Sequence, residues 1–346
     1  MMGLAACVSG EEMGLGHKLA ALGRGIVQMA LSTEGQGARN LSREPDACLL
    51  EGWATEERTV VFVRHGESTW NEIFNRGKGA QRFLWMPLRL ARGLAREAVA
   101  LLSPESTFID SPLSHLGIQQ ATVLRDTLRE PDDSSDLLAE ALAAGPNTTS
   151  VIVSSNLVRA VETVTLALAD RLAATREQVH IRSELQEISR NFDAVALAPP
   201  LSAPPSPRSA ILRKQGDVDL DFGSLYCAKG NRGNKAILGH PRHRMARFAA
   251  FCFGDRDVDG LACLRSPHSS AAVGGATATT VIAAGHSLWF RTFFRMYVDK
   301  EAQHPAKDRK ISNAGVVAFT LERGQVTSRV KSVWKKEERE CALNFT

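Results

Sequence analysis

The chain has 346 residues, of which 44% are hydrophobic and 23% charged, and these values are ordinary for a soluble globular protein. This length suffices for one large α/β domain with insertions or for two smaller domains, and such a chain can bury its core without disulfides or a structural metal. The formal net charge of +4 argues against a nucleic-acid-binding protein and predicts tolerance of anionic ligands.

The six cysteines are scattered without a Cys-x-x-Cys pair, which favours reduced thiols in a cytosol-like compartment over a disulfide framework or a zinc site. No apolar run reaches the roughly 18 residues of a membrane-spanning helix. We therefore expect a cytoplasmic protein with no membrane partner and no nucleic-acid partner.

The first 57 residues are difficult to assign to a folded domain. Leu19, Leu22, Ile26 and Met29 share one helical face, as in a targeting helix or a docking segment. Acidic residues near the start argue against a transit peptide, and an arginine interrupts the apolar stretch that a secretory signal needs. We expect residues 1–57 to form a poorly ordered extension, with organelle targeting as the alternative.

The remaining sequence predicts one domain over residues 58–325 and a tail over residues 326–346. Apolar, β-branched runs that are typical of strands covered on both faces alternate with segments of helical periodicity. The predicted strands are Thr59–Val63, Ser150–Val153, Thr279–Ala284 and Val316–Leu321. The predicted helices are Leu157–Leu172, residues 288–298, and Ile118–Leu128 with Ser114 as its N-cap. This alternation predicts an α/β three-layer sandwich with a mainly parallel sheet flanked by helices.

Two segments interrupt this alternation. Residues 75–93 are basic and aromatic, and they suit either a clamp for an acidic substrate or a lid or surface helix. An insertion over about residues 198–275 begins with PPLSAPPSP, which cannot form regular structure because its prolines lack backbone donors. Within this insertion, Met245, Phe248 and Cys252 recur at helical spacing, which predicts one helix packed on the body.

Polar side chains follow three of the predicted strands at the points where these strands end. Arg64 and His65 follow the first strand, Arg159 follows the second, and His286 follows the third. Ligands of an open parallel sheet bind outside the carboxyl ends of its strands, and helices that begin there favour anions. The sequence therefore predicts two arginines and two histidines at one edge of the sheet.

Two forked guanidinium groups beside histidines form a receptor for a phosphoryl group. The sequence shows no spaced set of acidic residues that would hold a metal and no Gly-x-x-x-x-Gly-Lys loop for a nucleotide. Side chains must then neutralise the charge, and a histidine can accept the phosphoryl group as phosphohistidine. We expect neither a metal nor a cofactor.

Five motifs resemble those of the histidine phosphatase superfamily, in its phosphoglycerate mutase-like branch. In the family's order they are RHGESTWN at residues 64–71, DSPLSHLGIQQA at 110–121, SSNLVRAVET at 154–163, ELQEI at 184–188 and AAGHS at 283–287. The resemblance spans about residues 59–321. It implies a phosphoglycerate mutase-like fold and a phosphoryl-transfer activity.

The resemblance implies catalytic roles for three residues. His65 would accept the phosphoryl group, His286 would hold its equatorial oxygens, and Glu187 would protonate the leaving oxygen and then activate water. Many members of the family continue after this glutamate with a glycine and a Trp-Glu-Gly-like stretch, whereas this chain reads ISRNFDAVALAPP. Glu67 and Asp193 are therefore alternative proton donors.

The resemblance also implies that four residues bind the substrate phosphate. Arg64 would flank the nucleophile, and Arg159 would hold the equatorial oxygens of the phosphoryl group. Ser68 and Asn71 would line the phosphate site as lesser contacts.

We expect the two histidines of the motifs to differ in charge. Neighbouring cations should lower the pKa of His65 and keep it neutral for attack, whereas a phosphate dianion should raise the pKa of His286. The sequence leaves open which ring nitrogen of His65 attacks phosphorus.

The predicted function is that of a phosphatase, which hydrolyses a small phosphate ester or a phosphoprotein through phosphohistidine at His65. One alternative is a phosphoglycerate mutase-type phosphotransferase, which returns the group to another oxygen of the same substrate. The other is a non-catalytic phosphate-binding module of the same fold. Hydrolysis is favoured because a mutase needs additional features that the sequence does not show, and because every principal motif residue is present.

Overall fold

The structure is a computed structural model that describes residues 15–39, 56–77, 83–129, 142, 150–204, 218, 220–254, 280–298, 304–324 and 328–334. The strands, in chain order, are β1 (Glu56–Arg64), β2 (Ser150–Ser155), β3 (Val179–Arg182), β4 (Tyr226–Cys227), β5 (Thr280–Gly285), β6 (Val316–Arg323) and β7 (Ser328–Trp334). They form a seven-stranded sheet in the order β4-β3-β2-β5-β1-β6-β7.

Strand direction in this sheet is mostly parallel. The four pairs β4-β3, β3-β2, β2-β5 and β5-β1 are parallel, whereas β1-β6 and β6-β7 are antiparallel. The chain returns antiparallel along β1 because residues 311–315 form a tight turn beside the end of that strand, in which Ala314 adopts a φ of 54°. The predicted mainly parallel sheet is therefore confirmed, with two antiparallel strands at one edge.

The apolar β-branched runs lie at the centre of the sheet because both of its faces are covered. Val60 and Phe62 point into one apolar cluster, and Val61 and Val63 point into another, so successive residues of β1 face opposite layers. All four side chains are no more than 1% exposed. The four predicted strands are confirmed. Three of them, β1, β2 and β6, are two to four residues longer than predicted, and β5 is described over Thr280–Gly285, one residue beyond its predicted end.

The helices, in chain order, are α1 (Leu15–Leu31), α2 (Glu34–Arg39), α3 (Thr69–Phe74), α4 (Met86–Val99), α5 (His115–Arg129), α6 (Val158–Ala167), α7 (Ala169–Thr175), α8 (Pro241–Cys252), α9 (Ser287–Tyr297) and α10 (Pro305–Asp308). Helices α8 and α9 cover one face of the sheet through the cluster that contains Phe248, Trp289 and Phe293. Helices α6 and α7 cover the other face through Val161 and Leu172. The predicted three-layer α/β sandwich is confirmed.

Two predicted helices differ in their bounds. The Ser114 hydroxyl accepts a hydrogen bond from the backbone N–H of Gly117 at 3.1 Å, so it caps α5 as expected, but the helix begins at His115. The helix predicted over Leu157–Leu172 is two helices, because the backbone leaves the helical region at Leu168 (φ −107°, ψ 19°).

The N-terminal extension differs from its prediction where the structure describes it. Residues 15–39 were expected to be poorly ordered, yet they form α1 and α2 and contact the body of the protein. The Glu34 carboxylate lies 2.7 Å from the Lys235 ammonium and also pairs with Arg244, and the Gln28 side chain is fully buried. The ion pairs of Glu34 and the hydrogen bond from Gln28 attach the segment to the body, and the domain boundary near residue 57 stays a prediction.

The predicted helix of the insertion is confirmed as α8, whose Met245, Phe248 and Cys252 side chains are buried. The insertion also supplies β4, and the described part of its proline-rich start, residues 199–204, is neither helix nor strand. The rest of the insertion and residues 335–346 of the predicted tail lie outside the described residues. Over the part of the chain that is described, no helix combines the length and hydropathy that crossing a membrane requires.

Candidate active site

The register of the sheet brings three strand ends together. Arg64 at the end of β1 pairs with Gly285 at the end of β5, and Ser154 near the end of β2 pairs with Ala284. The residues that follow these ends therefore meet at the carboxyl edge of the sheet, as predicted. Arg159 and His286 lie at helix starts, whereas α3 begins only at Thr69, beyond His65.

His65 lies at the centre of this edge and is only 4% exposed. Its Nδ1 atom is 2.6 Å from the carbonyl oxygen of Gly66, and a carbonyl can only accept, so Nδ1 donates the hydrogen. The lone pair of the neutral ring is therefore on Nε2. If His65 attacks phosphorus, as the sequence predicts, Nε2 is the ring nitrogen with the lone pair to do so.

Gly66 is required beside this histidine because α5 approaches closely. A Cβ atom on Gly66 would lie 2.6 Å from the carbonyl oxygen of Gly117, and a Cβ on Gly117 would lie 2.0 Å from that of Glu67. Both distances are far below van der Waals contact. The glycines of two motifs thus allow the loop that carries His65 to pack directly on the start of α5.

His286 faces His65 across the site, with ring centroids 5.0 Å apart. Its Nε2 atom lies 2.9 Å from the Ser155 hydroxyl, and its Nδ1 atom is buried without a hydrogen-bond partner. An unpaired buried ring nitrogen costs free energy unless a ligand completes it. This histidine therefore offers one polar atom to a bound group.

Arg64, which is half-buried, and Arg159, which is buried, bring their guanidinium groups to the same place. Arg64 donates through Nη1 to the carbonyl of Ile311, and Arg159 donates through Nη1 to the carbonyl of Asp193 at 2.6 Å. The Nε atoms of both arginines are buried and have no hydrogen-bond partner. Two cationic donors without acceptors suit an anion with several oxygens.

The pKa of His65 is held well below its usual value, first by burial and then by the charges of Arg159 and Arg64. This agrees with the expected neutral nucleophile. Among protein groups alone, burial and the same cations also lower the pKa of His286, so the rise expected from a phosphate dianion depends on the substrate. Burial lowers the pKa of Arg64 to about 10, which leaves it charged at neutral pH.

The three candidate proton donors are separated by their partners. The Glu67 carboxylate is bound by Arg76 at 2.5 and 3.2 Å and by the Ser114 hydroxyl at 2.6 Å, so it anchors the loop. Glu187 accepts through Oε1 from the backbone N–H groups of Ile188 and Trp289, and its Oε2 has no hydrogen-bond partner among the described residues. Of these two carboxylates, only Glu187 keeps a free oxygen.

Asp193 lies deeper, with Oδ2 3.4 Å from the Arg159 guanidinium and Oδ1 buried without a partner. Burial raises its pKa, and the charge of Arg159 opposes this rise. Its position beside Arg159 suits the orientation of that guanidinium better than proton transfer to a substrate. Glu187 Oε2 and Asp193 Oδ1 are thus the carboxylate oxygens of the three candidates that have no hydrogen-bond partner among the described residues, and which of them donates the proton stays a prediction.

Ser68 and Asn71 have structural partners. The Ser68 hydroxyl accepts from the backbone N–H of Asn71 at 3.2 Å and caps α3, and the Asn71 side-chain oxygen accepts from Asn75 at 2.7 Å. Nothing in these contacts brings either side chain to the two histidines. Their contact with phosphate stays a prediction.

The residues that support the His65 loop and Arg64 through hydrogen bonds were not predicted from the sequence. The Thr163 hydroxyl accepts from the backbone N–H of Gly66 at 3.0 Å and donates to the carbonyl of Arg159 at 2.7 Å, which fixes the His65 loop to α6. The threonine follows Arg159 by one helical turn, which is the signal that the sequence contained. Arg64 is oriented by the backbone carbonyl of Ile311. Because every residue has such a carbonyl, the residue type gave no indication of this contact.

Asp110 forms a second buried support. Its two oxygens accept from the backbone N–H groups of Val158 and Leu197 at 2.8 and 2.9 Å, so it joins the start of α6 to the loop after Asp193. Burial raises its pKa to about 7, against the opposing effect of these hydrogen bonds.

We expect Asp110 to make the protein less stable as the pH rises from about 4 to about 7. Its folded-state pKa lies above that of the unfolded chain, so the stabilisation is complete below the unfolded pKa and is lost as the pH rises through the folded one. Urea titrations across this pH range should show that Asp110→Asn removes this slope. An unchanged slope in the variant would show that folding does not raise the pKa of Asp110.

Across the described part of the chain, no three His, Cys, Asp or Glu side chains lie together as metal ligands would.

No family model and no curated protein matches the sequence. Among solved structures, the chain is similar to a mycobacterial glucosyl-3-phosphoglycerate phosphatase, with 16% identity, 80% of this chain and 98% of that chain covered, and a TM-score of 0.37. It is also similar to phosphoserine phosphatase from Entamoeba histolytica, with 15% identity, 81% and 98% covered, and a TM-score of 0.33. At these identities and TM-scores, the matches supply no substrate and no residue roles.

Proposed function

We propose that this protein is a phosphatase that hydrolyses a phosphate monoester through a phosphohistidine intermediate on His65. The observation that carries the proposal is the convergence of a neutral histidine with buried, unpaired donors. His65 is tautomerically set for attack by Nε2, and Arg64, Arg159 and His286 each keep one nitrogen without a partner around it. Such a set binds and polarises a phosphoryl group.

In the first step, the Nε2 lone pair of His65 forms a bond to phosphorus while the bond from phosphorus to the ester oxygen breaks. The negative charge on the equatorial oxygens is stabilised by the two guanidinium groups and by His286, which are already in place before the substrate arrives. Glu187, in its protonated form, gives its proton to the leaving oxygen. The products of this step are the alcohol and the phosphorylated histidine.

In the second step, the ionised Glu187 removes a proton from water as the water oxygen attacks phosphorus. The bond between phosphorus and Nε2 breaks, its electron pair returns to the ring, and inorganic phosphate leaves. The carboxyl is again protonated and His65 again neutral, so the cycle is balanced without a metal or cofactor.

The chemistry of the site supports a phosphate monoester as the substrate, and this ester is carried by a small molecule or by a protein. The decisive experiment is incubation of the purified protein with p-nitrophenyl phosphate, without added metal and with a chelator as control. Release of p-nitrophenol and phosphate supports the proposal. Binding of phosphate esters without turnover would favour the non-catalytic module instead.

We expect Glu187→Gln to lower kcat by roughly 10²- to 10⁴-fold on an alkyl phosphate, because the alkoxide leaving group needs a proton. With p-nitrophenyl phosphate, the rate of the first step should fall much less, because p-nitrophenolate leaves without accepting a proton. Glu67→Gln and Asp193→Asn are the matched controls, and neither should show this dependence on the leaving group. If Asp193→Asn shows it and Glu187→Gln does not, Asp193 is the donor.

A further inference from the structure

Helix α1 packs on the body of the protein with its small and polar side chains turned inward. Its buried positions are Lys18, Ala21, Gly25 and Gln28. They recur at intervals of three or four residues and therefore share one helical face. The large apolar side chains of the helix, among them Leu19, Leu22, Ile26 and Met29, are exposed. The buried face is thus the one that contacts the body.

The second half of α1 contacts residues 189–192, which follow Glu187. Gln28 donates from Nε2 to the carbonyl oxygens of Ser189 and Asn191, at 3.3 and 3.4 Å, and its side chain is fully buried. Three residues earlier, Gly25 lies against the ring of Phe192. A Cβ atom on this glycine would be 2.8 Å from Cε1 of the ring and closer still to Cδ1. Only glycine allows the helix to approach the ring this closely.

The first half of α1 contacts the residues that follow Asp193. Ala21 lies in a small apolar cluster with Val195 and Leu197. His17 donates from Nε2 to the carbonyl oxygen of Leu197 at 2.6 Å. The residues on both sides of Asp193 therefore rest on α1.

Asp193 connects this segment to Arg159, which the proposed mechanism places on the phosphoryl group. The Asp193 carbonyl oxygen accepts from Nη1 of Arg159 at 2.6 Å, and Oδ2 lies 3.4 Å from Nη2. Among the described residues, these are the polar contacts of the Arg159 guanidinium. The position of Asp193 therefore determines where the remaining donors of this group point.

The segment around Asp193 is held by side-chain contacts, because residues 189–191 and 195–197 belong to no helix or strand. Asn234 of the insertion also holds it, through two hydrogen bonds with the backbone of Ala196 at 2.7 and 2.8 Å. Loss of the contact with α1 should therefore shift the segment without unfolding it.

We infer that α1 is a positioning element of the proposed active site: Gly25, through Phe192, fixes Asp193 and thereby the Arg159 guanidinium. This role rests on the proposed function, because Arg159 affects activity only by binding the phosphoryl group. It makes the N-terminal extension a part of the phosphate site, although the extension lies outside all of the sequence motifs.

The test compares Gly25→Val with Gly23→Val in the full-length protein. Valine is a better helix former than glycine at both positions, but a Cβ atom on Gly23 meets no atom within 4 Å. We expect Gly25→Val to lower kcat/KM for p-nitrophenyl phosphate by about 10- to 10²-fold, because a displacement of about 1 Å in a positioning group has effects of this size. Gly23→Val should keep the wild-type value.

Calorimetric titration with inorganic phosphate measures the same displacement without turnover. Gly25→Val should bind phosphate about ten-fold more weakly than Gly23→Val, which is the effect of about one hydrogen bond to a charged group. Phe192→Ala removes the contact without a clash and should also weaken binding, so it tests the role of α1 even where circular dichroism shows that Gly25→Val is unfolded. In the Phe192→Ala background, Gly25→Val should cause no further loss, because the ring with which valine collides is absent.

Phosphate affinities of Gly25→Val and Phe192→Ala equal to that of Gly23→Val would overturn the role of α1 and leave the proposed function intact. Additive losses in the double variant would overturn it as well, because the contact between the two residues would not be the cause. A wild type that binds phosphate but hydrolyses no ester would overturn the proposed function, and the phosphate affinities would still test α1. A wild type that does neither would overturn both.

Discussion

We expect His65→Ala to reduce phosphate-ester hydrolysis by about 10⁴-fold or more, because the variant lacks the only group proposed to bond to phosphorus. The arginines and His286 would still bind the phosphoryl group, so affinity for inorganic phosphate should persist. Initial rates with p-nitrophenyl phosphate measure the loss. Mass analysis of rapidly quenched turnover mixtures should find a phosphoryl group at position 65 in the wild type and none in the variant.

His115→Ala is the matched control, because His115 is an exposed histidine at the start of α5. It should keep wild-type activity and the phosphorylated residue. A wild type that consumes substrate without ever carrying the adduct at His65 would contradict the phosphohistidine mechanism. Loss of activity on adding a chelator would contradict the metal-independent part of the mechanism, because a metal would then stabilise the negative charge on the phosphoryl oxygens.

The part of the site that was predictable from sequence is the part set by strands. Val60 to Val63 could be assigned to a covered strand because their apolar character does not alternate, and the polar residues that follow such a strand lie at the carboxyl edge of a parallel sheet. Arg64 and His65 could therefore be placed beside His286 from the sequence alone. It depends on these strands being parallel, which the alternation of strands and helices along the chain predicts.

The other features of the site and of the N-terminal segment depend on tertiary contacts, which sequence spacing does not reveal. The family resemblance names Glu187 as the proton donor with Glu67 as an alternative, and sequence spacing does not reveal that Arg76 binds the Glu67 carboxylate. Periodicity identified the apolar face of α1 but not the direction in which it points, since that is decided by the carbonyl groups that accept from Lys18 and Gln28. Amphipathicity gives two faces, and only packing selects which is buried.

Glu34 of the N-terminal extension contacts the cations that hold the loop of Glu187. It pairs with Lys235, whose ammonium donates to the carbonyls of Glu187 and Ser189, and with Arg244. Lys235 is 5% and Glu34 2% exposed, so the group is shielded from water. The extension thus neutralises cations that hold the loop of the proposed proton donor.

We expect Glu34→Ala to lower the free energy of unfolding by about 3–5 kcal/mol, because it leaves two cations without their shared buried counter-ion. Urea denaturation measures the loss. Glu56→Ala is the matched control: Glu56 pairs with Arg323 at 3.2 Å but its side chain is 53% exposed, so its removal should cost at most about 1 kcal/mol. Equal losses in the two variants would mean that the Glu34 pair is no stronger than a surface pair.

The pH dependence separates this charge effect from simple loss of packing. Burial lowers the pKa of Lys235, and Glu34 opposes that shift, so the pKa falls further when Glu34 is removed. The unfolded chain then binds more protons than the folded one, and stability rises with pH. The deficit of Glu34→Ala should therefore shrink as the pH is raised from neutral towards 10, because a neutral lysine needs no counter-ion. A deficit that is constant over this range would show that the Lys235 charge is not its source, and would leave it to packing and to Arg244, which stays charged throughout.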